Sequence, residues 1–124
     1  MSSTPFTVLV GLDPTSPEVP DEARREVQKQ LAEVGAQFEA VGLQFQFVSV
    51  DPNDLKPLMD ALTAHDKVDA VVIGFGVRRN PDLTYLLEQL VDTVRTAAPQ
   101  AKILFNTMPN TTLGAVKRWF PVSC

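Results

Sequence analysis

Residues 68–83 read VDAVVIGFGVRRNPDL, and the interpretation of the whole chain depends on this stretch. The segment Ala70–Ile73 is apolar at every position, so a strand formed there would be buried on both of its faces. Such strands are typical of the centre of a parallel sheet that helices cover on both sides. We therefore expect a central strand of an α/β protein here.

The second half of the same stretch predicts a ligand-binding loop. Gly74 and Gly76 allow a tight turn or the close approach of a ligand, and Asn80 followed by Pro81 is typical of the start of a helix. Two arginines lie between the glycines and this helix start. Because guanidinium groups and helix N-termini both attract anions, we expect residues 74–80 to form an anion-binding loop.

Length and composition predict a single domain that spans residues 1–124. The net charge of -4 argues against a general affinity for nucleic acid or for anionic membranes. No apolar run approaches the roughly 20 residues that span a bilayer, and the first residues lack the apolar core of a signal peptide, so we expect a cytoplasmic protein. The only cysteine, Cys124, excludes an internal disulfide, and we assign it no role.

Strand and helix patterns alternate along the chain. Besides Ala70–Ile73, the sequence predicts strands at Phe6–Leu12, at residues 43–50 and at residues 102–106. Apolar residues at three- and four-residue steps predict helices over residues 21–41, around residues 55–62, over residues 83–94 and over residues 113–120. Gly42 occupies the usual position after a helix end, and Pro57 is tolerated because it falls in a first turn.

This alternation predicts a three-layer αβα sandwich around a four-stranded parallel sheet. With the two doubly apolar strands in the centre, the simplest strand order is 2-1-3-4, a flavodoxin-like order shortened by one strand. Ligands of such sheets bind at the carboxyl ends of the strands, where the order reverses between strands one and three. Val10 and Ile73 should be among the most buried residues.

Polar residues that follow the predicted strands are the candidate site. Asp13, Asp51 and Tyr85 are candidates for acid-base catalysis. Residues at the same edge are candidates for binding the substrate: Thr15, Ser16, Gly74, Gly76, Arg78, Arg79, Asn80, Asn106 and Thr107. With an arginine to hold an anion, the expected chemistry is proton transfer or elimination on a small molecule that carries a carboxylate or phosphate, as in a lyase or isomerase.

The same residues have simpler interpretations. The glycines also suit an ordinary strand-to-helix turn, and the aspartates suit turns and helix caps. The third strand ends in Gly74 and supplies no third carboxylate, so we expect no metal ion, and no motif predicts a cofactor. His65 should lie at the opposite, amino edge of the sheet, which argues against a Ser-His or Cys-His pair at the candidate site.

The alternative to a ligand-binding protein is a non-catalytic scaffold. Strand four would be an exposed edge, and Trp119 adds apolar surface nearby, so we expect a homodimer under either hypothesis. An open pocket at the carboxyl edge would favour ligand binding. A pocket filled by the proline-rich loop of residues 13–21 would favour the scaffold.

Three resemblances follow from these residues. The layout resembles response-regulator receiver domains, but Gly74 stands where those have their phosphorylated aspartate, and their fifth strand is absent. Residues 72–80 resemble the third block of SGNH hydrolases, whereas residues 11–16 depart from the nucleophile block of that family and no Asp-x-x-His follows. The chain as a whole, above all residues 11–18 and 74–81, is similar to small uncharacterised flavodoxin-like α/β proteins, which implies the fold and no particular chemistry.

Overall fold

Four parallel strands form the central sheet of the computed structural model, which describes residues 5–13, 15–17, 19–51, 54–64 and 67–120. They are β1 (Phe6–Leu12), β2 (Gln44–Val50), β3 (Ala70–Ile73) and β4 (Lys102–Phe105). The sheet order is β2-β1-β3-β4, as the sequence predicts. The predicted positions of His65 and Cys124 lie outside the described residues.

The register aligns the carboxyl ends of the strands at one edge of the sheet. Val10 of β1 is level with Val48 of β2 and with Ile73 of β3. Ile73 is in turn level with Phe105 at the end of β4. The residues that follow each strand therefore meet at this edge, which is the edge that the sequence indicates for a site.

Helices cover both faces of the sheet, which confirms the three-layer architecture. The helices are α1 (Asp21–Ala40), α2 (Lys56–Ala64), α3 (Phe75–Arg79), α4 (Thr84–Ala97) and α5 (Thr112–Trp119), and two 3-10 turns occupy Pro81–Leu83 and Pro109–Thr111. One apolar core joins α2, α3 and α4 to the sheet, and a second joins α1 and α5 to its other face. Val10 and Ile73 are fully buried, as expected.

The side chains of β1 and β3 point alternately to the two faces of the sheet, and this explains why both strands contribute to both cores. Val8 and Val10 point into the core that contains α2 and α4, whereas Leu9 points into the core that contains α1 and α5. Neighbouring strand residues point to opposite faces of a sheet, so a strand that is apolar at every position contributes to both cores. Every residue of β1 and β3 is buried.

Gly42 confirms the predicted end of the first helix. Its φ of 74° is in the left-handed region, which glycine adopts at little cost. The Gly42 N–H donates to the Glu39 carbonyl at 3.1 Å, so the turn also satisfies a carbonyl at the end of α1. The chain then enters β2, whose alternating exposure is that of the expected edge strand.

The predicted loop over residues 74–80 is wrong in one respect, because Phe75–Arg79 forms the short helix α3. Gly74 takes the N-cap position with an extended backbone, at φ −64° and ψ 148°, and no left-handed turn occurs. The Asn106 side-chain oxygen accepts the Phe75 N–H at 2.9 Å, and buried Val77 anchors the helix to the core. One apolar anchor is too short a pattern to show helical periodicity in the sequence.

Candidate functional site

A cavity of about 380 Å³ opens at the carboxyl edge of the sheet, on the side that α1 covers. We call it the apolar cavity. Most of its walls are apolar side chains of β1, β2, α1, α3 and the segment after β4. Its lining comprises Leu9, Gly11, Leu12, Val19, Pro20, Ala23, Glu26, Val27, Leu31, Phe47, Gly74, Phe75, Gly76, Val77, Arg79, Asn80, Pro81, Asn106, Thr107, Met108 and Pro109.

Part of the proline-rich loop borders this cavity. Val19 and Pro20 contribute to its wall. Arg24 of α1 holds the loop in place, because its Nη2 donates to the Ser16 and Val19 carbonyls, each at 3.2 Å. The described residues of this loop thus leave a pocket of about 380 Å³ at this edge, and ligand binding there stays a prediction.

Asn106, Asn80 and Thr107 line the apolar cavity as predicted, but most of their polar groups serve the fold. Asn106 is 3% exposed, and its side-chain nitrogen donates to Thr112 Oγ1 at 3.0 Å while its oxygen caps α3. The Asn80 side-chain oxygen accepts the Asp82 N–H at 2.9 Å and so starts the 3-10 turn, which confirms the predicted cap. The Thr107 N–H donates to Thr111 Oγ1 at 3.0 Å. These groups give the cavity a fixed shape.

Gly74 and Gly76 also line the apolar cavity, for different reasons. A Cβ atom at position 74 would lie 3.4 Å from the Val10 carbonyl oxygen, so Gly74 lets α3 start close against β1. A Cβ atom at position 76 would have no neighbour within 4 Å. Gly76 therefore leaves open space in the cavity and is not required by the backbone.

The two arginines have different environments. Arg79 is exposed and lines the apolar cavity, and it makes no hydrogen bond or ion pair with the rest of the described chain. Arg78 is not among the lining residues. Its guanidinium lies 5.1 Å from the Phe75 ring centroid and 4.9 Å from that of Phe105, and its Nη2 donates to the Asn106 carbonyl. Burial lowers the pKa of Arg78, although a guanidinium stays protonated in proteins.

A second cavity, of about 370 Å³, is lined by four of the other predicted polar residues. We call it the polar cavity; it is lined by Asp13, Thr15, Ser16, Pro17, Ser49, Val50, Asp51 and Pro57. Asp13 Oδ1 accepts the Thr15 hydroxyl at 2.5 Å and the Thr15 N–H at 2.8 Å. These hydrogen bonds lower the pKa of Asp13, which makes this carboxylate a weaker base. The arrangement is that of an aspartate that organises its own turn.

The structure thus divides the predicted site. Asp13 and Asp51 share the polar cavity, whereas the glycines, Arg79 and Asn106 share the apolar one. Tyr85, which is 71% exposed in the first turn of α4, lines neither. Among the described residues, no three His, Cys, Asp or Glu side chains converge on a possible metal position.

Several lining residues were not predicted from the sequence. Ala23, Val27 and Leu31 of α1 belong to the apolar stripe that the sequence indicates, and they were expected to pack in the core. Glu26 is a charged residue of the same helix outside that stripe. Near the N-terminus of α1 this stripe extends beyond the edge of the sheet and lines the cavity. This extension depends on how α1 is positioned against the sheet, which the sequence pattern does not reveal. The sequence carries no signal that separates these lining residues from core residues.

Comparisons with protein-family models, with curated proteins and with solved structures found no match to this chain. The similarity to small flavodoxin-like proteins therefore stays a prediction, apart from the topology itself. None of the described helices is long and apolar enough to cross a membrane.

Proposed function

We propose that the apolar cavity binds a small molecule with an apolar body and an anionic group, a carboxylate or a phosphate, and that Arg79 contacts the anion. Ligands of parallel α/β sheets bind at the carboxyl edge where the strand order reverses, and this cavity lies there between β1 and β3. Its volume is within the range of roughly 300–1,000 Å³ that is typical of small-molecule sites.

The observation that carries the proposal is the position of Arg79. This side chain is a charged donor at a mostly apolar pocket, and within the described part of the chain no acceptor occupies it. A guanidinium binds carboxylates and phosphates through two parallel hydrogen bonds. The apolar walls would bind the remainder of the ligand by removing its surface from water.

The proposed function is the binding of a ligand in the apolar cavity. Acid-base catalysis on that ligand would be a further activity. Asp13 and Asp51 line the polar cavity and Tyr85 lines neither, so the predicted catalytic groups and Arg79 do not share a pocket. A catalytic acid or base must come within hydrogen-bond reach of the reacting proton. Lyase- or isomerase-like chemistry by these three residues would therefore require a ligand that extends beyond the apolar cavity.

A thermal-shift screen of carboxylates and phosphates with apolar substituents tests the proposal. A ligand at a hundredfold excess over its dissociation constant adds about 2.7 kcal/mol of apparent stability. Calorimetry on Arg79→Ala should then show affinity lowered about tenfold to a hundredfold, the loss expected for a charge-assisted contact. Arg95→Ala removes an equal charge from the exposed side of α4 and serves as the control. No stabilisation by any such anion, or equal affinity in Arg79→Ala, would refute the proposal.

A second proposal concerns self-association, because exposed apolar side chains cluster beside the edge strand β4. Phe105 and Met108 are each 43% exposed and Trp119 is 56% exposed. Within the described chain β4 has a neighbour on one side only. We propose that this surface, formed by β4, Met108 and α5, joins two copies of the chain in a homodimer.

A further inference from the structure

The two charged side chains that line the apolar cavity have opposite signs. Glu26 projects from α1 and Arg79 from α3. The ion pairs among the described residues involve other side chains. Both residues therefore line the cavity without an ionic partner in that part of the chain. A ligand that fills the cavity would meet one carboxylate and one guanidinium.

Gln30 positions the Glu26 carboxylate. Its side-chain nitrogen donates to Glu26 Oε2 at 2.9 Å, and Gln30 itself is only 5% exposed. Gln30 lies one turn further along α1 than Glu26. The other carboxylate oxygen, Glu26 Oε1, accepts no hydrogen bond from the described residues. A carboxylate beside apolar walls attracts a cation and repels an anion.

A purely anionic ligand would therefore be attracted by Arg79 and repelled by Glu26. We propose that the cavity selects a small apolar zwitterion, with its cationic group at Glu26, its anionic group at Arg79 and its apolar body against Val27 and Phe47. The inference rests on the proposed function, because it assumes that the cavity binds a ligand through Arg79. Two classes of molecule have this chemistry: α-amino acids with apolar side chains, and ω-amino acids whose charges are separated by a methylene chain.

Calorimetry with matched pairs of probes tests the inference. L-phenylalanine is compared with 3-phenylpropionate, and 6-aminohexanoate with hexanoate, so that each pair differs by its ammonium group. In at least one pair the zwitterion should bind about tenfold to a hundredfold more tightly than the carboxylate, as expected for one charge-assisted contact. The pair that shows the preference reports whether the two ligand charges are adjacent or separated.

Variants then assign the preference to Glu26. In Glu26→Gln the zwitterion and the carboxylate should bind within about threefold of each other, because the neutral amide no longer attracts the ammonium group. Glu33→Gln, which removes an equal charge from an exposed position of α1 outside the cavity lining, should retain the full preference. Arg79→Ala should weaken both members of a pair by a similar factor.

The outcomes separate the two proposals. Carboxylates that bind as tightly as their zwitterions, or a preference that persists in Glu26→Gln, would overturn the zwitterion inference and leave anion binding in place. If other anionic metabolites bind and none of the four probes does, the zwitterion inference is likewise overturned and anion binding stays in place. The absence of binding by both the probes and the wider set of carboxylates and phosphates would overturn the proposed function itself.

Discussion

Arg78 and Arg79 are adjacent in the chain, yet the first supports the fold and the second faces a cavity. From the sequence alone both were candidates for the same anion site. The stack of Arg78 between Phe75 and Phe105 joins α3 to the edge strand β4. Its hydrogen bond to the Asn106 carbonyl connects the same helix to the segment that follows β4.

We predict opposite effects of substituting the two arginines. Arg78→Ala should lower the free energy of unfolding by about 1–3 kcal/mol, because it removes a cation-π stack and a charged hydrogen bond. Arg79→Ala should change it by less than about 0.5 kcal/mol, as is usual for an exposed side chain without such contacts. Urea denaturation of the two variants measures both values, and Arg78→Lys, which keeps the charge but not the planar group, should resemble Arg78→Ala. Equal losses in the two alanine variants would contradict these assignments.

The Asp13 turn is expected to make the stability of the folded protein depend on pH. Its folded-state pKa is lowered by hydrogen bonds from Thr15, so its ionised form stabilises the folded protein. That contribution is complete above the unfolded-state pKa of about 3.8 and is lost as the pH falls through the lower folded-state value. Asp13→Ala should therefore melt below the parent protein at pH 7, and the difference should shrink as the pH falls below 3.8.

Thermal melts at pH 7 and near pH 3 measure this difference. Asp92→Ala is the matched control, because Asp92 is exposed on α4 and accepts no such hydrogen bonds from the described residues. The difference for Asp13→Ala is compared with the difference for Asp92→Ala at each pH. A gap for Asp13→Ala that widens in acid would show that Thr15 does not stabilise the ionised carboxylate.

At the scale of single elements, Gly42 and Gly76 differ in whether the backbone requires a glycine. Gly42 has a positive φ, whereas Gly76 does not. We predict that Gly42→Ala lowers stability by about 1–2 kcal/mol, since alanine is strained in the left-handed region. Gly76→Ala should raise stability by about 0.5–1 kcal/mol, because Gly76 lies inside α3 with open space around it. Urea denaturation of both variants checks the signs. A loss of stability in Gly76→Ala would show that residue 76 needs a conformation that only glycine adopts.

The elements that were predicted correctly share long or repeated patterns. β3 is apolar at every position and β1 at every position but Thr7, and the stripe of α1 recurs over its whole length, so local sequence determines them. Helix α3 depends instead on a cap that Asn106 supplies from a distant part of the chain. The position of Gly74 and Asn106 at the sheet edge was predictable, because the topology places them there. The division into two cavities, and the presence of Glu26 in one of them, depend on helix positions that the sequence does not encode locally.

At the scale of the whole molecule, the side chains beside β4 predict self-association. Trp119 lies over Lys102, with the Lys102 Nζ 5.2 Å from the ring centroid, and most of the indole faces solvent. We predict that Trp119→Glu converts a dimer into monomers, because a charge would have to be buried in the apolar contact. Sedimentation velocity measures the change. Tyr85→Glu, at an even more exposed aromatic residue of α4, is the control and should leave the sedimentation coefficient unchanged.

An unchanged sedimentation coefficient for Trp119→Glu would place any dimer contact elsewhere. A variant that becomes monomeric should still bind the ligand of the apolar cavity, because neither Trp119 nor Lys102 lines that cavity, and Met108, which belongs both to its lining and to the proposed contact, is unchanged. Loss of both properties together would link the cavity to the contact between the two copies.

The strand order also has a consequence for the chain while it is being synthesised. The first strand has neighbours on both sides, and one of them, β3, is complete only at residue 73. The Phe6 N–H donates to the Asp69 carboxylate at 2.8 Å, across 63 positions of sequence. A nascent chain that ends before residue 70 therefore exposes one open edge of a strand that is buried throughout in the finished protein. Open apolar strand edges promote aggregation. The nascent chain should therefore depend on chaperones until β3 has emerged from the ribosome.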